Sequence, residues 1–138
     1  MSEYADPAVI ERLLTRTQTW AVVGLSTNTG RAAWSVARRI QGSGKRVVPV
    51  HPRAETVFDE PGYRTVLEVP GHLDVVDLFV NSRRVGAIVD QAIEAGAGAV
   101  WMQLDVEDPA AAARAAAAGL DVVVDRCPAI EAARLGLW

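Results

Sequence analysis

Gly24-Leu25-Ser26-Thr27-Asn28-Thr29-Gly30-Arg31 is the stretch of this chain best equipped for chemistry. Glycine frees the backbone, Ser26, Thr27, Asn28 and Thr29 supply hydroxyl and amide groups, and Arg31 supplies charge. A strand-length apolar run, Trp20 to Leu25, leads into it, and an amphipathic helix leads out. The first N–H groups of that helix are unpaired and face the loop. Such a strand–loop–helix unit attracts anions, phosphates above all. The spacing is not G-x-G-x-x-G, because the second and third glycines are missing, and no Gly-Lys-Ser/Thr follows as in a P-loop. It suits a pyrophosphate lying farther from the backbone than in standard dinucleotide sites. The alternative for the same residues is an ordinary polar turn and helix cap.

Val50-His51-Pro52-Arg53 follows the second apolar run. NAD sites place an acid there for the ribose hydroxyls. An arginine instead favours an extra phosphate on the ribose, as NADP or coenzyme A carries; otherwise Arg53 is a solvated surface residue. His51 is placed to hydrogen-bond a nucleotide or to serve the turn before Pro52. Cys127 lies beside Arg126, and a nearby cation lowers a thiol pKa. A mixed disulfide with a thiol ligand would follow from that; a small buried hydrophobe is the other reading. Asp77 interrupts an apolar run, and a buried carboxylate needs a partner, so a structural hydrogen-bond acceptor is expected there. Asp74 reads as a loop-to-strand residue and His72 as a turn residue. With two histidines, no Ser-His-Asp arrangement and no metal-ligand spacing, no catalytic constellation is visible. Trp20 and Trp101 read as core, Trp34 as core or ligand border, and Trp138 as exposed unless it docks or meets a second copy in a homo-oligomer.

The elements that must position these residues follow from periodicity and caps. Asp6-Pro7 opens a helix over about residues 7–17. Helix follows the first loop, with Trp34, Val36, Ala37 and Ile40 inward, until Gly42-Ser43-Gly44. Arg46–Val50, Leu73–Val80, Ala99–Leu104 and Leu120–Val124 read as further strands. Pro49 must sit at a strand end or away from the ladder. Residues 51–72 read as irregular, with one helical turn at Val66-Leu67-Glu68. Ser82 is expected to cap the helix ending at Gly96. Asp108-Pro109 opens the alanine-rich helix closed by Gly119, and the tail ends in a short helix. Strands apolar on both faces, alternating with helices, predict an α/β fold: a Rossmann-like doubly wound parallel sheet of about five strands. The expected order is 3-2-1-4-5, with the switch between the first and fourth strands. Ligands bind at the carboxyl ends of such strands, which selects loops 25–31, 51–53, 80–84, 103–106 and 125–128.

The 138 residues predict a single domain over 1–138, with a Rossmann-like core at about 19–127 and a tail at 128–138. Half the residues are hydrophobic and the net charge is −3, which disfavours nucleic acid as partner. The single cysteine fits a reducing, cytoplasmic setting. The start, with Glu3, Asp6 and Glu11, does not read as a signal peptide, and no apolar run approaches the ~20 residues that span a bilayer, so no membrane is expected.

GLSTNTGRAAWSVARRI, VVPVHP, VDVVDLFVNSRRV, AVWMQLDV and GLDVVVDRCPAIE resemble the small stand-alone coenzyme A-binding proteins of the YccU-like family, over about residues 18–132. These are related to the nucleotide-binding domain of the succinyl-CoA synthetase alpha subunit. The resemblance implies a small-molecule ligand, coenzyme A or acyl-CoA, lying across the carboxyl edge of the sheet. It places Gly24, Ser26, Thr27, Asn28 and Arg31 at the pyrophosphate, and Val50, His51, Pro52 and Arg53 beside the adenosine. Phe79, Ser82, Arg83 and Val85 would line the third loop, with Met102 and Gln103 near the pantetheine arm. The chain departs from the family pattern at His51, where asparagine is usual, and at Asp105, where glycine is usual. The synthetase's phosphohistidine belongs to a second domain that has no counterpart in these residues. The leading expectation is a non-catalytic carrier or sensor of coenzyme A. The alternatives are an NADP-dependent oxidoreductase and an interaction module with a vestigial pocket.

Overall fold

The computed structural model describes residues 4–138; Glu3, counted above in the acidic start, lies outside them. Five parallel strands form one sheet: β1 (Thr19–Val23), β2 (Arg46–Val50), β3 (Val75–Leu78), β4 (Ala99–Met102) and β5 (Asp121–Val123). Five helices connect or flank them: α1 (Pro7–Thr15), α2 (Ala32–Gly42), α3 (Ser82–Glu94), α4 (Pro109–Ala117) and α5 (Pro128–Arg134). The turn at Val66–Glu68 forms as a single 3-10 turn.

Side chains alternate across the sheet, so each face builds its own core. Trp20, Val22, Val47, Val75, Trp101 and Val123 pack under α1, α2 and α5. Ala21, Val23, Val48, Val76, Leu78, Val100 and Met102 pack under α3, α4 and the 3-10 turn. This is the doubly wound sandwich expected from strands apolar on both faces. The Asp6 carboxylate accepts the Ala8 N–H at 2.9 Å and caps α1. The cap of α3 is Asn81 rather than Ser82; its Oδ1 accepts the Arg83 and Arg84 N–H groups at 3.1 and 3.2 Å. Ser82 is the first helical residue.

The strand order is β2-β1-β3-β4-β5, which differs from 3-2-1-4-5 in the place of the third strand. The reason lies in the segment read as irregular. Tyr63 pairs with Val50 in one parallel bridge on the outer edge of β2. That bridge takes the outer position, and the next long strand returns to the other side of β1. The topological switch therefore falls between β1 and β3. Pro49 fits this edge: its carbonyl accepts the Tyr63 N–H at 3.0 Å, so its own nitrogen faces outward and no bond to β1 is lost. Among the described residues no helix is long and apolar enough to cross a membrane.

Candidate functional site

At the carboxyl edge of the sheet the loops enclose a cleft of about 740 Å³. Its walls come from the end of β1 with the start of α2, the end of β2, residues Arg64–Val66, the loop from β3 into α3, and the loop after β4. Gly24 makes the first contact between these walls. It has φ +101°, and its N–H donates to the Val50 carbonyl at 2.8 Å. A Cβ there would stand 2.5 Å from the Phe79 carbonyl oxygen. Only glycine lets the loops after β1 and β3 meet this closely.

The loop after β1 is held largely by its own polar groups. Ser26 Oγ accepts the Asn28 N–H at 3.2 Å, and Asn28 Oδ1 accepts the Gly30 N–H at 3.0 Å. The Thr27 N–H and hydroxyl donate to the Glu55 carboxylate at 3.1 and 3.2 Å. These bonds hold the Glu55 carboxyl below its ordinary range. Ser26, Thr27 and Asn28 thus shape the loop and do not line the cleft. Arg31, Ala32 and Ala33 do line it. Arg31 stands at the N-cap of α2 without a capping side-chain hydrogen bond. The first turn of α2 therefore presents backbone donors to the cleft with no side-chain acceptor on them.

The lining carries Arg31, Arg64, Arg84 and His51, and no carboxylate among the described residues. None of the three arginines has an acidic partner there, whereas Arg12, Arg46, Arg114 and Arg134 are all paired. His51 Nδ1 accepts the Arg53 N–H at 3.1 Å. A neutral His51 consequently carries its proton on Nε2, as a donor. Gln103, at the end of β4, is buried in the wall, and its Oε1 meets no hydrogen-bond partner.

Of the residues expected from sequence, Gly24, Arg31, Val50, His51, Pro52, Phe79 and Gln103 line this cleft. Ser26, Thr27, Asn28, Arg53, Ser82, Arg83, Val85 and Met102 do not. Helical periodicity explains α3: Arg84, Ile88 and Gln91 share one stripe toward the cleft, while Val85, Val89 and Ala92 face the core. Ser82 Oγ instead accepts the Glu107 N–H at 3.0 Å and ties α3 to the loop after β4. Met102 is fully buried on the α3 side of β4. Arg53 is exposed outside the lining, and its place is taken by Arg64. Arg64, Thr65, Asn81, Arg84 and Gln91 were not anticipated. Asn81 and Arg84 were signalled by capping preference and helical spacing. Arg64 carried no local signal. Asp105 has φ +66°, which accounts for an aspartate where the family pattern has glycine, since both tolerate the left-handed region.

The remaining candidates lie elsewhere. Cys127 is a buried small residue outside the cleft. Asp77 is fully buried between Val22 and Trp101, and neither carboxyl oxygen has a hydrogen-bond partner. The expected acceptor role is thus not realised. Burial pushes this carboxyl well above the ordinary range, opposed only by the nearby Leu78 N–H. His72 Nε2 lies 3.5 Å from Asp74, whose carboxylate accepts the Gln18 and Thr19 N–H groups at 2.9 Å. Trp20 and Trp101 pack in the core with ring centroids 5.7 Å apart and planes tilted by 41°. Trp34 packs on Phe58 at 5.5 Å, outside the cleft. Trp138 docks, partly buried, on the core under α1, α2 and α5.

The model of a family described as the CoA binding domain matches residues 18–133. A hypothetical protein from Pyrococcus horikoshii, of known structure, is 37% identical, with a TM-score of 0.89, over 94% of this chain and 91% of that one. The uncharacterized protein YneT of Bacillus subtilis is 27% identical over 87% of this chain and 89% of its own. A dinucleotide-forming acetyl-coenzyme A synthetase of Ca. Korarchaeum cryptofilum shares the fold, with a TM-score of 0.71 at 24% identity. It covers 82% of this chain and 26% of the synthetase chain.

Proposed function

The chain belongs to the CoA binding domain family, and we propose that its edge cleft holds coenzyme A or an acyl-CoA without transforming it. One observation carries this reading: three arginines and a histidine donor line the cleft beside the uncapped start of α2, with no carboxylate among them. A polyanion is the matching ligand. The pyrophosphate would lie against the Ala32 and Ala33 N–H groups with Arg31 over it. His51 Nε2 and the Val50–Pro52 backbone would border the adenosine. The cleft's volume falls within the range of small-molecule and cofactor sites. His51 is the one imidazole in the lining. Its Nδ1 is already engaged, so the imidazole serves as a fixed donor rather than one member of an acid–base pair.

Thermal unfolding with coenzyme A, acetyl-coenzyme A, NAD and NADP in parallel tests the proposal. A ligand at ~100 times its dissociation constant stabilises by about 2.7 kcal/mol, several degrees for a chain of this size. The expected result is a shift with the two coenzyme A compounds. A shift with NADP alone would replace this reading with a redox one. No shift with any of the four would leave an interaction module.

A further inference from the structure

We propose that Arg64 and Arg84 together form a second anion-binding position in the cleft, separate from the start of α2, that takes a phosphomonoester on the ligand's ribose. The inference rests on the cleft being a nucleotide site and deepens that reading. Arg64 follows Tyr63 on the outer side of β2, and Arg84 sits in the first turn of α3, beyond β3. Their backbones are rooted on opposite sides of the β1 loop. The two walls nevertheless converge, because the 3-10 turn at Val66–Glu68 packs against α3. Val66 and Ile88 line the same cleft as the two arginines; Val66 is buried and Ile88 half-buried, whereas both arginines are exposed.

Neither guanidinium is committed to the protein. Both side chains are exposed and have no carboxylate partner among the described residues. The start of α3 is already capped by Asn81, so Arg84 is not needed there. The Arg31 position has its own donors, and one pyrophosphate beside α2 leaves Arg64 and Arg84 without a partner. A second, separate dianion completes them. Planar guanidinium forks suit the three oxygens of a terminal phosphate. The 3′-phosphate of coenzyme A and the 2′-phosphate of NADP share this chemistry; dephospho-coenzyme A and NAD lack it.

Calorimetric titration of the full chain with coenzyme A, dephospho-coenzyme A, NADP and NAD tests this. It is run on the parent, Arg64→Gln, Arg84→Gln and the double variant. The parent should bind coenzyme A roughly tenfold to a hundredfold tighter than dephospho-coenzyme A. The ratio should fall toward one in the double variant, with dephospho-coenzyme A binding unchanged. Equal binding of the two ligands by the parent, or variants that weaken both ligands alike, would overturn the inference while leaving the coenzyme A reading intact. A parent that discriminates NADP from NAD through these arginines and ignores coenzyme A would support the position and overturn the ligand. Binding of none of the four would overturn both. Unfolding curves of the variants should match the parent, since neither side chain holds the fold.

Discussion

Replacing Gly24 by alanine tests how the fold builds the cleft. Two costs add. The backbone there has φ +101°, a conformation essentially reserved for glycine, and an L-residue held in such a region costs about 1–3 kcal/mol. The new Cβ would also stand 2.5 Å from the Phe79 carbonyl oxygen and 3.1 Å from the Phe79 Cβ. Phe79 cannot retreat freely, because its N–H is bonded to the Val23 carbonyl at 2.9 Å in continuation of the β1–β3 ladder. Relief therefore requires the loops after β1 and β3 to separate. The sum is about 3 kcal/mol or more, which lowers Tm by roughly 10 °C in a chain of this length. Gly30→Ala is the matched comparison. Its φ lies outside the left-handed region, and its Cβ would meet only the Asn28 side-chain Oδ1, at 3.3 Å. It should leave Tm within about 2 °C, because a Gly→Ala change at a compatible site is worth under about 1 kcal/mol. Circular dichroism melts of the two variants decide the matter. Equal, small shifts would refute the claim that Gly24 is fixed by close approach of the two loops.

Three further outcomes follow from the geometry. Arg31→Ala should weaken coenzyme A binding by roughly tenfold to a hundredfold, and dephospho-coenzyme A by the same factor, as measured by calorimetry; unchanged affinity would move the pyrophosphate elsewhere. Asp77→Val removes a buried acid whose native pKa is raised, so the folded state holds its proton where the unfolded state, near 3.9, releases it. The parent loses stability through this group as pH rises above about 4, and the variant's advantage in urea unfolding should grow by about 1.4 kcal/mol per pH unit until the native carboxyl titrates; an advantage constant from pH 4 to 8 would contradict this. The Glu55 carboxyl is held low by the Thr27 donors, so its tie to the loop is present above the unfolded pKa and lost as pH falls through the native one. Glu55→Gln should therefore speed Thr27 amide exchange at neutral pH, and equal exchange rates would show that the contact orders nothing.

The layers of this fold were legible because each strand is apolar on both faces and each helix carries a cap or a glycine stop. The side of the cleft formed by the β1 loop and the start of α2 was legible for the same reason: Gly24 and Arg31 bracket a loop between a buried strand and a helix start. The other side was not. Tyr63 makes a one-residue bridge, too short to leave an alternating pattern, and its position set both the strand order and the place of Arg64. Arg53 and Arg64 are equivalent as residue types, and only the turn through Ala54 to Gly62 decides which one meets the cleft. That turn is dictated by packing: a Cβ on Gly62 would overlap the Glu55 carbonyl oxygen. Position along a loop was also a poor guide to direction. Ser26, Thr27 and Asn28 sit in the right loop but bond to the Asn28 and Gly30 backbone and to Glu55. Helical phase would have corrected α3, since Arg84, not Arg83 or Val85, shares a stripe with Ile88 and Gln91.

The central claim is that a phosphate-bearing coenzyme occupies this cleft and no other part of the molecule. Titrating coenzyme A into ¹⁵N-labelled protein and following the amide resonances tests it most directly. The account predicts saturable shifts concentrated at Gly24, Gly30 to Ala33, His51, Arg64 to Val66, Phe79 to Arg84 and Gln103. The smaller hollow lined by Tyr4, Asp108, Pro109 and Val124 should stay unchanged. Shifts confined to that hollow, or no saturable shifts at millimolar coenzyme A, would contradict it.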